Sequence, residues 1–303
     1  MLTHIRDLVH DAIARDYAVG AFNVENVETT LSVIRAAVQE KSPVILQVSE
    51  TTIAYAGLKV ITSIVEHVAR DVAGQIPVAL HLDHGKSFRS VAACVQAGFS
   101  SIMIDASDVP FQENVILTKQ AVDYAHRKEV WVQGELGAVK GMEEAMTLLE
   151  REPFMTKPKE AQQFVQETGV DTLAVAVGNV HGVVKMRKGM THALDLERLD
   201  EIRKAIPNTP LVLHGASGVS IETLQESFQH GIRIVNMNTE LKLAFVNALR
   251  MSLQKDAEAY DPREIFKPSR MVHLMKAFRG DEIHAMAIIF IFKNKVYYPH
   301  GVS

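Results

Sequence analysis

The fold class this sequence predicts is α/β, a closed (β/α)8 or TIM barrel, on three observations. Eight apolar runs are bounded by turn residues, helix-period segments separate them, and polar side chains collect at the C-terminal end of each run. The runs are YAVGAFNV (17–24), SPVILQVSE (42–50), VALHLDHG (78–85), SSIMIDAS (100–107), VWVQGELG (130–137), VDTLAVAVG (170–178), PLVLHGAS (210–217) and GIRIVNMNTE (231–240). Each is nearly continuous in hydrophobicity, as strands buried on both faces of a parallel sheet must be.

Between the runs, residues 25–41, 58–72, 88–99, 114–128, 159–169, 195–206 and 220–231 carry apolar side chains at helical spacing. The alternative is an open, doubly wound sheet. Against it, the first run ends in AFNVENVE, with no Gly-rich dinucleotide fingerprint. At 303 residues, 47% hydrophobic and 22% charged, with no linker-like stretch, the chain suits one large core better than two domains.

A formal net charge of −4 gives the whole molecule no attraction to nucleic acid or to anionic lipid, so neither nucleic acid nor a membrane is expected as partner. The single cysteine, Cys94, rules out an internal disulfide framework and a Cys-rich metal site. The N-terminal MLTHIRDLVHDAI mixes charges into an amphipathic pattern, unlike a secretory signal, and no segment is long enough to span a bilayer. The expected location is the cytoplasm.

Barrel enzymes build their sites from strand C-termini and the loops that follow. In order, the eight runs end with Asn23; Ser49 and Glu50; Asp83 and His84; Asp105 and Ser107; Glu135; Asn179 and His181; His214 and Ser217; and Asn236 to Thr239. His84, His181 and His214 each precede a glycine, and three neutral imidazoles suit a zinc ion with a fourth position left for substrate or water. The dipeptide alone means nothing, since it recurs at His230 and His300, away from strand ends.

HGASG (214–218) and NMNTE (236–240) end the seventh and eighth runs, where barrels often hold a phosphate on backbone N–H groups. Gly182, Gly215, Ser217, Asn238 and Thr239 are candidate donors, with Lys185 as an added positive charge. Ordinary turns and helix caps at Gly218, Ser220 and Thr239 explain either motif equally well. Asp83, beside a candidate metal ligand, is placed to exchange a proton with a substrate hydroxyl. Glu143 and Glu144 lie in the long segment after the fifth run, where a lid carboxylate and a solvated charge pair are both open readings. No lysine falls within the eight strand cores, which argues against a Schiff-base route.

AFNVENVE, SPVILQVSE, LHLDHG, SSIMIDASDVPFQENV, GELGAVKGMEE, TGVDTLAVAVGNVHG, PLVLHGASGV and IVNMNTE together resemble the zinc-dependent class II aldolases of the fructose-bisphosphate and tagatose-bisphosphate type. The resemblance runs from about residue 1 to about residue 270. It implies one barrel domain over 1–270, with 271–303 a C-terminal segment that departs from the family pattern. By position it implies His84, His181 and His214 as zinc ligands, Asp83 as acid/base for the C4 hydroxyl, and Glu143 as the lid carboxylate serving C3. Asp105 and Glu135 match carboxylates that hold a displaced or second metal.

Gly182, Gly215, Ser217, Asn236, Asn238 and Thr239 match the dihydroxyacetone-phosphate site, with Lys185 as accessory. Asn23, Ser49, Ala216 and Met237 complete the candidate substrate contacts, and a monovalent cation is a further candidate cofactor. The implied reaction is reversible cleavage of a ketose 1,6-bisphosphate to dihydroxyacetone phosphate and glyceraldehyde 3-phosphate by a homodimer or homotetramer. An aldolase for another phosphorylated sugar, and an impaired phosphate-binding barrel, remain as alternatives. Three departures stand out: Asp108 where the family has His, Lys140 where it has Gly, and Gln133 where Glu is common.

Overall fold

The structure, a computed structural model, describes residues 2–137, 152–179, 193–216, 219–258, 260–261 and 265. Its strands are β1 (Val19–Asn23), β2 (Val44–Ser49), β3 (Val78–Gly85), β4 (Ser101–Ile104), β5 (Trp131–Leu136), β6 (Thr172–Val175), β7 (Leu211–Leu213) and β8 (Ile232–Met237). The helices described are α1 (Ile5–Ala14), α2 (Val27–Glu40), α3 (Glu50–Ala56), α4 (Leu58–Val72), α5 (Phe88–Gln96), α6 (Phe111–Ala125), α7 (Pro158–Thr168), α8 (Leu196–Ala205), α9 (Ile221–Gln229) and α10 (Thr239–Lys255). The strands close in sequence order, and β8 pairs in parallel with β1. The eight predicted strands and the (β/α)8 barrel are therefore present.

Several strands are shorter than their apolar runs. The fourth is Ser101–Ile104 rather than 100–107, the sixth Thr172–Val175 rather than 170–178, and the eighth stops at Met237 rather than 240. The excess residues, such as Ala106, Ala176 and Val177, are buried without belonging to a strand. Burial keeps them apolar after the ladder has ended, so composition alone overextends the strand.

Helix starts follow local chemistry. Asn26 and Thr29 form a reciprocal capping box at α2, and Ser49, Ser87, Asp195 and Ser220 each accept a backbone N–H at the start of α3, α5, α8 and α9. Pro158 opens α7 and Gly169 ends it in the left-handed conformation. No helix among the described residues is long and apolar enough to cross a membrane.

The sheet register sets the layers that support the site. Asn23 pairs with Gln47, Gln47 with His81, and His81 with Ser101. In-register neighbours on parallel strands point to the same face, so these buried polar groups form one band, closed by His81 Nδ1 against Ser101 Oγ at 2.8 Å. One step toward the C-termini, Ser49 pairs with Asp83.

Candidate active site at the C-terminal end of the barrel

The polar end of VALHLDHG is a β-bulge. Pairing between β3 and β4 runs Leu82 to Ile102 and then jumps to Gly85 with Ile104. Accommodating the extra residue puts His84 at φ +49°, a left-handed conformation uncommon for a residue with a side chain. A Cβ on Gly85 would lie 2.5 Å from the Met103 carbonyl oxygen, so only glycine fits there. The bulge turns Asp83 and His84 away from simple strand alternation and aims both at the mouth of the barrel.

His84 is the hub. Its Nε2 lies 3.1 Å from His214 Nδ1 and 3.8 Å from Asp83 Oδ1, while its Nδ1 lies 2.7 Å from Asp105 Oδ2 and 3.8 Å from Glu135 Oε2. Ligand atoms of Asp83, His84 and His214 fall within 4.8 Å of one another, as do those of His84, Asp105 and Glu135. Burial works against a charged His84 imidazole, but Asp83, the hydrogen bond to Asp105, and Glu135 outweigh it and raise its pKa to about 9.

The carboxylates divide. Burial would raise Asp105, yet His84, Lys86 and Ser107, all bonded to it, hold it well below the usual carboxylate range. Lys86 Nζ is 2.9 Å from Asp105 Oδ2, and Ser107 Oγ donates to Oδ1 at 2.8 Å. Glu135 is pushed up to about 8, by burial first and then by Asp105, against the opposing charge of His84. Asp83 accepts a 2.7 Å hydrogen bond from Asn23 Nδ2 at Oδ2, while its buried Oδ1 has no hydrogen-bond partner; the same holds for Glu135 Oε2.

His214 sits just past β7 and is almost wholly buried. Its carbonyl accepts from Asn179 Nδ2 at 2.9 Å, and Asn179 Oδ1 accepts from the Val177 N–H at 2.7 Å, which ties the ends of β6 and β7 together. Its Nε2 lies 2.9 Å from both Gln133 Nε2 and Asn236 Nδ2.

The structure thus brings together Asn23, Asp83, His84, Asp105, Glu135, His214 and Asn236. Ser49 ends β2 in register with Asp83, but its hydroxyl is engaged in capping α3 and with Thr51 and Thr52. Gly215 and Ala216 follow His214 directly, with Ala216 buried, and the Met237 side chain is in the core. Asn238 and Thr239 form the start of α10, where Asn238 makes no side-chain cap bond. Glu143, His181, Gly182, Lys185 and Ser217 lie outside the described residues. Sequence reasoning gave no site role to Lys86 or to Asn114, whose amide holds the Glu135 carbonyl at 3.0 Å. Lys86 directly after LDHG was the available signal; Asn114, inside a helix pattern, offered none.

A parallel barrel with clustered imidazoles and carboxylates at its strand C-termini defines a barrel enzyme with a metal-competent site. The family model described as "Fructose-bisphosphate aldolase class-II" matches residues 3–286. A fructose-bisphosphate aldolase of Geobacillus stearothermophilus is 42% identical over 270 residues, 89% of this chain and 92% of the relative. One from Staphylococcus aureus strain Mu50 is 41% identical over the same shares. The crystal structure of the YdjI aldolase from Escherichia coli K12 superposes with a TM-score of 0.73 at 32% identity, covering 93% of this chain and 98% of that one.

The chain belongs to the class II fructose-bisphosphate aldolase family. It is an aldolase, a lyase acting on a phosphorylated sugar.

Proposed function

We propose that the chain is a zinc-dependent aldolase that reversibly cleaves a ketose 1,6-bisphosphate, fructose or tagatose, into dihydroxyacetone phosphate and glyceraldehyde 3-phosphate. The observation that carries this reading is the 3.1 Å between His84 Nε2 and His214 Nδ1. Two imidazole nitrogens on a tetrahedral zinc, each about 2.1 Å from it, stand roughly 3.4 Å apart, within a few tenths of an ångström of this separation. The unpartnered buried oxygens of Asp83 and Glu135 are what a cation would satisfy, so the donor set fits. His181 is the proposed third imidazole, and Asp105 and Glu135 the second metal position. A bound zinc supplies Lewis acidity toward a carbonyl oxygen.

The remaining work falls to the chain. Asp83, oriented by Asn23, takes or returns the proton of the C4 hydroxyl, and Glu143 serves C3. The N-terminus of α10 at Asn238 and Thr239, with the turn after His214, offers N–H groups for a phosphate; Gly182, Lys185 and Ser217 belong to the same proposed cradle. The same reading keeps residues 1–270 as one barrel domain and expects a homodimer or homotetramer, which sedimentation reads.

The test is aldol cleavage of fructose and tagatose bisphosphates with and without a chelator, followed by zinc add-back. Zinc-restored cleavage of either sugar supports the proposal. Cleavage indifferent to the chelator rejects the metal mechanism, and turnover of neither sugar rejects the substrate.

A further inference from the structure

Gln133 interrupts the apolar pattern of β5 and is only 1% exposed. Its Nε2 lies 2.9 Å from His214 Nε2, and Asn236 Nδ2 lies at the same distance from the same ring nitrogen. A ring nitrogen has one in-plane site, which accepts one hydrogen bond or donates one. Two amides therefore converge on a site that can serve one of them.

The opposite edge of the ring decides which way that site is used. His214 Nδ1 faces His84 Nε2 at 3.1 Å. A metal ion held between these nitrogens takes a lone pair from each ring, so His214 must offer it one at Nδ1. A neutral imidazole then keeps its hydrogen on Nε2, and in this buried place that N–H needs an acceptor.

An amide turned end for end presents oxygen in place of nitrogen at no steric cost. Two observations select Gln133 for this role. Its nitrogen's other contact is Met103 Sδ at 3.4 Å, a weak acceptor that gives little up when the amide turns. Asn236 Oδ1, by contrast, is buried without a partner, so turning Asn236 would leave NH2 hydrogens there instead; orphaned donors are rarer than orphaned acceptors.

We infer that Gln133 is a positioning residue: its amide oxygen accepts from His214 Nε2–H and holds the ring in the tautomer that presents Nδ1 to the metal. The inference rests on the metal reading proposed above. It places a residue of β5, two strands away from β7, in control of a ligand at the end of β7. Outer partners that fix a ligand's tautomer typically change metal affinity about 10–100-fold when removed.

The experiment measures zinc affinity of the full chain by competition with a chromophoric chelator, beside histidine 15N spectra. Gln133→Met, of similar shape but without the amide, is expected to bind zinc about 10–100-fold more weakly. Gln133→Glu, an acceptor at the same place, should bind at least as tightly as the wild type. In zinc-loaded wild type, His214 should carry its hydrogen on Nε2, a readout that does not depend on any variant folding.

A Gln133→Met affinity within about threefold of wild type, or a hydrogen on Nδ1 of His214 in the loaded protein, overturns the inference and leaves the metal site standing. Failure of the wild type to bind zinc overturns both.

Discussion

Asn23 Nδ2, at the end of β1, donates a 2.7 Å hydrogen bond to Asp83 Oδ2, at the bulged end of β3, across the intervening strand β2. The bond fixes one carboxylate oxygen and leaves Oδ1 buried and unpartnered, aimed toward His84. A carboxylate held this way is oriented before substrate arrives. Asp83→Asn is expected to lower kcat by about 10²–10⁴-fold, the usual worth of a general acid/base. Asn23→Ala, which removes only the orientation, should cost about 10–100-fold in kcat with a smaller change in KM. Steady-state cleavage kinetics check both. Equal losses in the two variants would contradict the division of roles.

The bulge makes a separate prediction about stability. At Gly85 an added methyl would meet the backbone oxygen of Met103 at 2.5 Å, and that carbonyl cannot move without breaking the β3–β4 ladder. At Gly74 the backbone is left-handed, φ +59°, as it is not at Gly85, but nothing lies within 4 Å. Gly74→Ala should therefore cost about 1 kcal/mol, from backbone strain alone. Gly85→Ala should cost about 3 kcal/mol or more, from overpacking against that backbone oxygen. Urea unfolding of the two variants reads the difference, and equal midpoints would refute the steric argument.

These sites also show what can be read from sequence. The barrel was legible because strands covered on both faces are apolar without alternation, so VALHL or IRIV announces itself. The grouping of Asp83, His84, Asp105, Glu135 and His214 followed from one rule, that strand C-termini converge in a closed parallel barrel. The bulge was not legible: LDHG reads as a strand end, and only the Leu82-to-Gly85 jump reveals the extra residue. Gln133 acquired its neighbours for a similar reason. A glutamine inside VWVQGELG carries no motif, and its contact with His214 exists only because curvature brings β5 and the end of β7 together.

His81 provides a pH signature. Burial, opposed by the charge of Asp83 and helped by that of His84, lowers its pKa from 6.5 to about 4. Above pH 6.5 the imidazole is neutral in both folded and unfolded chains and makes no pH-dependent difference. As pH falls from 6.5 toward 4 the unfolded chain takes up a proton that the folded chain refuses, so stability drops, and below 4 the drop from this group ends. The shift corresponds to about 3 kcal/mol. In chelator, unfolding free energy should fall more steeply between pH 7 and pH 4.5 in wild type than in His81→Gln. Parallel curves would remove His81 as the cause.

Metal removal should register in stability as well as in turnover. His84 and His214 face one another at 3.1 Å with Asp83, Asp105 and Glu135 around them, a buried group of charges and lone pairs that a divalent cation would link. A ligand bound only by the folded state stabilises by mass action, about 2.7 kcal/mol at a hundredfold excess over its Kd. In a chain of this size that is a rise in Tm of roughly 4 °C. Calorimetry with zinc and with chelator should show this rise in wild type. His214→Ala should lose it, because truncating that ring leaves His84 without the nitrogen opposite, whereas Gly74→Ala, whose backbone lies at the turn before β3, should keep it. A wild-type melting curve that zinc leaves unmoved would mean that the imidazole pair does not hold a metal ion.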